Sequence, residues 1–408
     1  MNLSPFKLER YFAQYEFNVE CLLCSSDCQS FSIQELLALE TGASQRFQEH
    51  WLGYTESQGS PSLRHEIARV YEAIAPHQVL VHSGAEEAIF LFVHAVLHAG
   101  DHVIVHSPCY QSLGEVAHSI GCEVTHWLAT ERDGWALNLD ELQHRIRPHT
   151  RAIVVNTPHN PTGFLMSHTD FAALNRLAQA RGIFLLSDEV YRESEYRAED
   201  RLPAACDVND TAVSLGVMSK TYGLPGLRIG WIATRNADVL SRMAALKDYT
   251  TICNSAPSEF LAELALRHRH VLVERNITII RHNLDLLDGF FARHIDEFVW
   301  QRPKAGPIAF PRLVHGSIDY FTWHFRSESA AVIVEGSLSA PREAFVGLTC
   351  YNPPGGSKHC LNTKIASCEV HLTHKRSGQQ EMLATRRRAT CETLRVTDDR
   401  GHGVPIHV

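Results

Sequence analysis

Between residues 63 and 235, short apolar runs alternate with longer stretches in which apolar residues recur at helical spacing. The runs lie at 102–106, 151–155, 182–186 and 211–215, and the spacing predicts helices over 86–98 and 170–181. Strands apolar on both faces, interleaved with helices, predict an α/β layer structure: a mostly parallel sheet flanked by helices. Each run gives way to polar residues or Gly/Pro turns, and ligands of such sheets gather at the carboxyl ends of the strands. From 235 to about 293 the pattern is helical, and 298–303 and 306–310 then predict short strands of a smaller α+β domain. The expected layout is 1–48 as an N-terminal segment contributing to the smaller domain, 49–290 as the large domain, 291–335 as the smaller domain's core, and 336–408 as an atypical tail.

Composition changes this picture in two places. Residues 336–408 hold ten Lys/Arg against six Asp/Glu, so the tail is +4 within a 408-residue chain of net charge -8, and it shows no convincing amphipathic stretch. Its segments 352–357 and 386–388 are turn-like and basic, and the tail is expected to be irregular. The overall negative charge gives no electrostatic reason to expect nucleic acid. No apolar run is long enough to span a bilayer, and the first residues lack the apolar core of a signal peptide, so a cytoplasmic location is expected. The eleven cysteines are scattered and odd in number, which predicts reduced thiols. Cys21, Cys24 and Cys28 lack a second ligand pair at zinc-site spacing, so no metal is expected.

The candidate chemistry centres on Lys220. An amine and the guanidinium of Arg228, eight residues on and separated by glycines and a proline, suit an aldehyde cofactor that carries a phosphate. The lysine would form a Schiff base and the arginine would grip the phosphate as a fork, which points to pyridoxal 5'-phosphate (PLP). Asp188, at the end of an apolar strand, is placed to pair with the ring nitrogen; capping a helix is its other reading. Tyr191, three residues on, and Asn160, in Asn156-Thr-Pro-His-Asn-Pro-Thr-Gly163, are candidate donors to the ring hydroxyl, with a plain Asn-Pro turn as the alternative for the latter. Gly84 and Ala85 open a helix after a strand and offer backbone N–H groups to a phosphate. Tyr110 can stack on the ring or serve as a core aromatic. A working Lys220 needs a pKa well below its free value, and burial with neighbouring positive charge would push it there.

In order and spacing these elements resemble the fold-type I PLP enzymes of the class I/II aminotransferase family, over about residues 50–325. The resemblance implies the PLP-dependent transferase fold, with Lys220 as the Schiff-base lysine, Asp188 at the pyridine nitrogen, and Asn160 and Tyr191 at the ring hydroxyl. It further implies Tyr110 on the ring, and Gly84, Ala85, Ser219 and Arg228 around the phosphate. Tyr54 matches the family tyrosine that reaches the neighbouring subunit's phosphate, which implies a homodimer acting on amino acids and 2-oxo acids. Tyr11–Phe17, Ser214–Trp231 and Leu246–Tyr249 are similar to capreomycidine synthase-like members, which cyclise an arginine-derived amino acid by elimination instead of transferring an amine. Two positions depart from the pattern. Val217 stands where many relatives carry a phosphate-binding Ser or Thr, and no counterpart of the family's carboxylate-binding arginine is evident in 336–408, Arg395 being a poor candidate. A protein of this fold without turnover is the third reading.

Overall fold

The computed structural model describes residues 3–18 and 25–314, and beyond them only the backbone of short strands between 344 and 406. The rest of the 336–408 tail lies outside the described residues, as do segments 352–357 and 386–388, the side chain of Arg395, and Cys21 and Cys24.

Seven strands form the main sheet: β1 (Val79–His82), β2 (His102–Ser107), β3 (Glu123–Leu128), β4 (Thr150–Asn156), β5 (Phe184–Asp188), β6 (Ala212–Val217) and β7 (Gly230–Ala233). Their order is β1-β7-β6-β5-β4-β2-β3. Pairings from β6 through to β3 are parallel, whereas β7 is antiparallel to both β6 and β1. The N-terminal segment carries α1 (Lys7–Tyr15), α2 (Ile33–Leu37) and α3 (Ala43–Gln48), and α4 (Pro61–Ala68) precedes β1. Helices α5 (Gly84–Val96), α6 (Ser112–Ser119), α7 (Leu139–Arg145), α8 (His168–Arg181) and α9 (Ala205–Val208) fill the crossovers from β1 to β6. After β7 come α10 (Ala237–Lys247), α11 (Ala256–Arg267) and the long α12 (Arg269–Arg293). None of the described helices is long and apolar enough to cross a membrane.

Successive strand residues face opposite sides of the sheet, so one strand feeds two cores. In β2, Val103 and Val105 pack with Phe92 of α5, Leu113 of α6 and Met243 of α10, while Ile104 packs with Leu142 of α7 and Phe171 and Leu174 of α8. Each such side chain contributes about 1.5–3 kcal/mol on burial, which is why these strands read as continuous apolar runs. At the β6–β7 pair, Gly216 leaves room for the Trp231 ring: a Cβ there would lie 2.4 Å from Cε2. Trp231 Nε1 in turn donates to the Tyr71 hydroxyl at 2.8 Å.

Beyond the sheet, α12 presents Ile280, Leu284, Leu287 and Phe291 to Phe298 and Leu313, with Cys28 in the same cluster. Short strands β8 (Phe298–Val299), β9 (Ile308–Ala309) and β10 (Arg312–Leu313) follow, and β11 (Ala344–Phe345) and β12 (Leu348–Thr349) pair with β10 and β9. Helix α12 therefore runs past the expected boundary at 290, and strand pairing continues past 336. The described part of the N-terminal segment, expected to join the smaller domain, packs in part on the large domain. Leu36, Leu37 and Ala43 share a core with Leu261 and Leu264 of α11, because these apolar residues have no sheet of their own to cover. The backbone N–H groups of Ser4 and Lys7 donate to Glu115 and Gln111 beside α6. Cys28, among the described residues of this stretch, enters the α12 cluster.

Candidate active site

The antiparallel β7 sets the site. Gly230, at its start, is in register with His82 at the end of β1 and with Val217 at the end of β6. Asp188 ends β5 in register with Asn156, which ends β4, and with Leu215. One sheet edge thus collects the carboxyl ends of four parallel strands together with the turn that carries Lys220 and Arg228.

Asp188 is 6 % exposed, and no helix follows it: residues 190–193 form a turn, with Val190 N donating to Oδ1 at 3.2 Å, so the helix-cap reading falls away. Burial pushes its carboxyl up to about 7, only partly countered by that N–H and by Lys220. A buried carboxylate held this way favours a cationic partner. The loop after β4 is tied to the same place: Thr157 N and Asn156 Nδ2 both donate to the Asp188 carbonyl at 3.0 Å. Asn160 N donates to Asn156 Oδ1 at 2.6 Å, which aims the Asn160 amide at the Tyr191 hydroxyl, 3.3 Å away. That contact favours a site role over a plain turn. Tyr191 is 2 % exposed, and burial pushes its phenol up to about 12.

Lys220 follows the buried Ser219 and is a quarter exposed. Its Nζ donates to Asp27 Oδ1 at 2.6 Å and to Ser26 Oγ at 2.7 Å. Burial disfavours the ammonium, but Asp27, Tyr191 and Asp188 outweigh it and hold the pKa above its ordinary value. The sequence reading anticipated a fall; the structure differs because the groups around the amine are acidic.

The phosphate-side residues converge as well. Gly84 has φ +84° at the start of α5, and a Cβ on it would lie 2.5 Å from Arg228 Nη2. A Cβ on Gly230 would lie 2.6 Å from Gly84 C and 2.8 Å from Ala85 N. The absence of side chains at 84 and 230 therefore keeps the first backbone N–H groups of α5 bare beside a guanidinium, a cradle suited to a dianionic phosphate. Arg228 itself is exposed, in a left-handed conformation with φ 52°. These residues fit PLP: an amine, a buried carboxylate, a hydroxyl–amide pair and a phosphate cradle share one edge. Val217 is buried in β6 and offers the cradle no hydroxyl.

Tyr110 is half-buried, packs on Phe6 with ring centroids 5.0 Å apart, and donates its hydroxyl to Glu9 Oε1 at 2.9 Å. Tyr54 stands 86 % exposed. Sequence reasoning missed Glu9, Ser26 and Asp27. Asp27 sits among cysteines that drew attention as thiols, and nothing in its spacing links it to a lysine 193 positions away. Cys28 itself is buried, its thiol pushed up to about 12 by burial. The stacked His106–His159 pair, with centroids 3.8 Å apart, was missed too; His159 bridges the two site loops through Thr162 Oγ1 and the Pro108 carbonyl, both at 2.7 Å.

Comparison with known proteins agrees with this geometry. The chain is 27 % identical over 355 residues to capreomycidine synthase of Streptomyces vinaceus, covering 86 % of this chain and 91 % of that protein. It superposes on a PLP-dependent aminotransferase from Streptococcus suis 89-1591 with TM-score 0.80 at 31 % identity, covering 86 % of this chain and 93 % of the other. The PLP-dependent cyclase OrfR gives TM-score 0.77 at 30 % identity, with 86 % and 94 % covered. A family model described as aminotransferase class I and II matches residues 22–336, most of the chain. This protein belongs to the class I and II aminotransferase family.

Proposed function

We propose that this protein moves an amino group between an amino acid and a 2-oxo acid, with PLP held on Lys220. The observation that carries the reading is the sharing of one sheet edge by the Lys220 amine, the buried Asp188 carboxylate and the Gly84–Arg228 cradle. When bound, PLP supplies an aldehyde that takes up amines and a protonated ring that withdraws electrons from the substrate carbon. Asp188 holds the proton on the ring nitrogen; its burial makes a neighbouring cation favourable. Asn160 and Tyr191 orient the ring through its hydroxyl, and Gly84, Ala85, Ser219 and Arg228 fix the phosphate. Tyr110 covers the ring. Lys220, its amine freed by substrate, would take the proton from Cα and deliver it to the cofactor carbon on the far side of the shared nitrogen.

Exposed Trp51, Leu52, Tyr54, Tyr249 and Ile252 support a homodimer. Their loops are joined by Thr55 Oγ1 donating to the Asn254 carbonyl at 3.0 Å and Ser57 Oγ donating to Asp248 Oδ1 at 3.3 Å. In that dimer Tyr54 reaches the partner's phosphate. We place the protein in cytoplasmic amino acid biosynthesis, a reading supported by the free thiols of the five described cysteines. A second reading, elimination with cyclisation of an arginine-derived amino acid, is favoured by the likeness to capreomycidine synthase. Product analysis with simple amino donors against 3-hydroxyarginine separates the two. The test of the main reading is borohydride reduction of the PLP-reconstituted protein followed by peptide mass analysis. The adduct is expected on Lys220, with no turnover by Lys220→Ala protein. Retained turnover in that variant, or an adduct elsewhere, refutes the assignment.

A further inference from the structure

We propose that Glu193 and Tyr222 are positioning residues, whose hydrogen bond sets the Lys220 amine at the distance from the Asp188–Tyr191 turn that lets it close on the cofactor aldehyde. The inference rests on the reading of Lys220 as the cofactor lysine and deepens it.

Glu193 stands where a turn ordinarily takes another residue. Ser194 N donates to the Tyr191 carbonyl at 3.0 Å, so Glu193 is the third residue of a 191–194 turn, and its φ is 71°. Gly or Asn usually fills such a position, because a larger side chain there strains the backbone. The glutamate side chain, 13 % exposed, is fully engaged. Its Oε2 accepts the Tyr222 hydroxyl at 2.9 Å, while Oε1 faces Arg269 Nε at 3.5 Å and Arg201 Nη1 at 3.7 Å. The two guanidiniums balance its charge and leave Oε2 to the phenol. Burial and the adjacent carboxylate push the Tyr222 phenol well above its ordinary range, so it stays a donor.

The span of that bond gives it a role. Glu193 lies two residues beyond Tyr191, and Tyr222 lies two beyond Lys220. One hydrogen bond therefore joins the turn that holds the ring to the turn that holds the amine. Thr221 Oγ1 donates to the Val190 carbonyl at 3.4 Å between the same two turns. Each turn is also anchored separately: Asn276 Nδ2 of α12 donates to the Thr221 carbonyl at 2.9 Å, and the Asn160 amide reaches the Tyr191 hydroxyl at 3.3 Å. The step that depends on their spacing is capture of the cofactor. Neutral Lys220 Nζ adds to the aldehyde carbon, a C=N bond replaces C=O, and the oxygen leaves as water with both amine hydrogens. Its rate depends steeply on how closely the reacting atoms are held.

Pyridoxamine 5'-phosphate separates this role from a merely structural one. It carries the ring, hydroxyl and phosphate of PLP but no aldehyde, so it uses the ring and phosphate contacts and makes no bond to Lys220. Two quantities are measured: the rate of PLP capture by Lys220, from borohydride quenching and peptide mass analysis, and pyridoxamine phosphate affinity, from absorbance titration. Tyr222→Phe keeps the ring beside Trp231, with centroids 6.5 Å apart, and removes only the hydroxyl. Glu193→Gly adopts a positive φ without strain. Each is expected to slow capture at least about 10-fold and to change pyridoxamine phosphate affinity less than about 3-fold. Glu193→Gln keeps an acceptor and should recover most of the rate. Protein carrying both Tyr222→Phe and Glu193→Gly should be no slower than the slower single variant. Melting temperatures show that each variant is folded. Wild-type capture rates in the folded variants, equal losses in capture and in pyridoxamine phosphate affinity, or additive losses in the double variant overturn the proposal. Those results leave the assignment of Lys220 standing, whereas wild-type protein that forms no borohydride adduct on Lys220 defeats that assignment and this inference with it.

Discussion

Replacing Asp188 with Asn should have opposite effects on the cofactor-free and cofactor-loaded protein. Burial raises this carboxyl from 3.8 to about 7 in the folded chain. A raised acid favours the folded state when protonated, so its contribution is intact below pH ~4 and is lost as pH rises through ~7. At 1.36 kcal/mol per pKa unit the full loss is about 4 kcal/mol, more than half of which develops between pH 5 and pH 8. Asn cannot ionise and escapes it. Cofactor-free Asp188→Asn protein should therefore fall less in melting temperature between pH 5 and pH 8 than wild type, by roughly 3 °C for a chain of this size. With PLP the sign reverses. Asp188 then faces a ring N–H⁺, and the variant should bind cofactor at least about 10-fold more weakly, having lost a buried charge pair. Paired melts at the two pH values, with and without PLP, provide the assay. Parallel pH profiles for the two cofactor-free proteins would refute the claim that Asp188 is ionised there only at a cost.

Two further changes probe the frame of the site. Arg228→Lys replaces a fork with a point charge beside Gly84, and PLP affinity measured by absorbance should fall about 10-fold; unchanged affinity would remove Arg228 from the phosphate site. Gly216→Ala drives a methyl to 2.4 Å from the Trp231 ring, and the protein should lose about 1–3 kcal/mol with altered tryptophan fluorescence as the bond to Tyr71 breaks. An unshifted melt and spectrum would show that this packing is not tight.

Much of the site was legible because its motifs are local. Lys220 and Arg228 share one turn, Asp188 and Tyr191 another, and Asn156 to Gly163 a third. Asn160 and Tyr191 meet at 3.3 Å as their positions after neighbouring strands require. The electrostatic state of Lys220 was not legible, and the expectation of a lowered pKa failed there. Its partners Ser26 and Asp27 come from a segment with no strand period, and only the folded chain lays that segment over the β6–β7 turn.

Sequence alone therefore determined the alternation of strands and helices, and it brought forward Lys220, Asp188 and Arg228 as the candidate amine, carboxylate and phosphate fork at the carboxyl ends of the strands. Those features follow from apolar periodicity and from residues a few positions apart, where chain geometry restricts the outcome. Tertiary structure decided the reversed direction of β7, which brings Arg228 and Gly230 against the start of α5, and the docking of α1 and the 25–28 loop over the site. Contacts between residues about a hundred or more positions apart depend on which faces remain uncovered after the sheet has formed. No local pattern encodes that, so the acidic groups around Lys220 appear only in the folded protein.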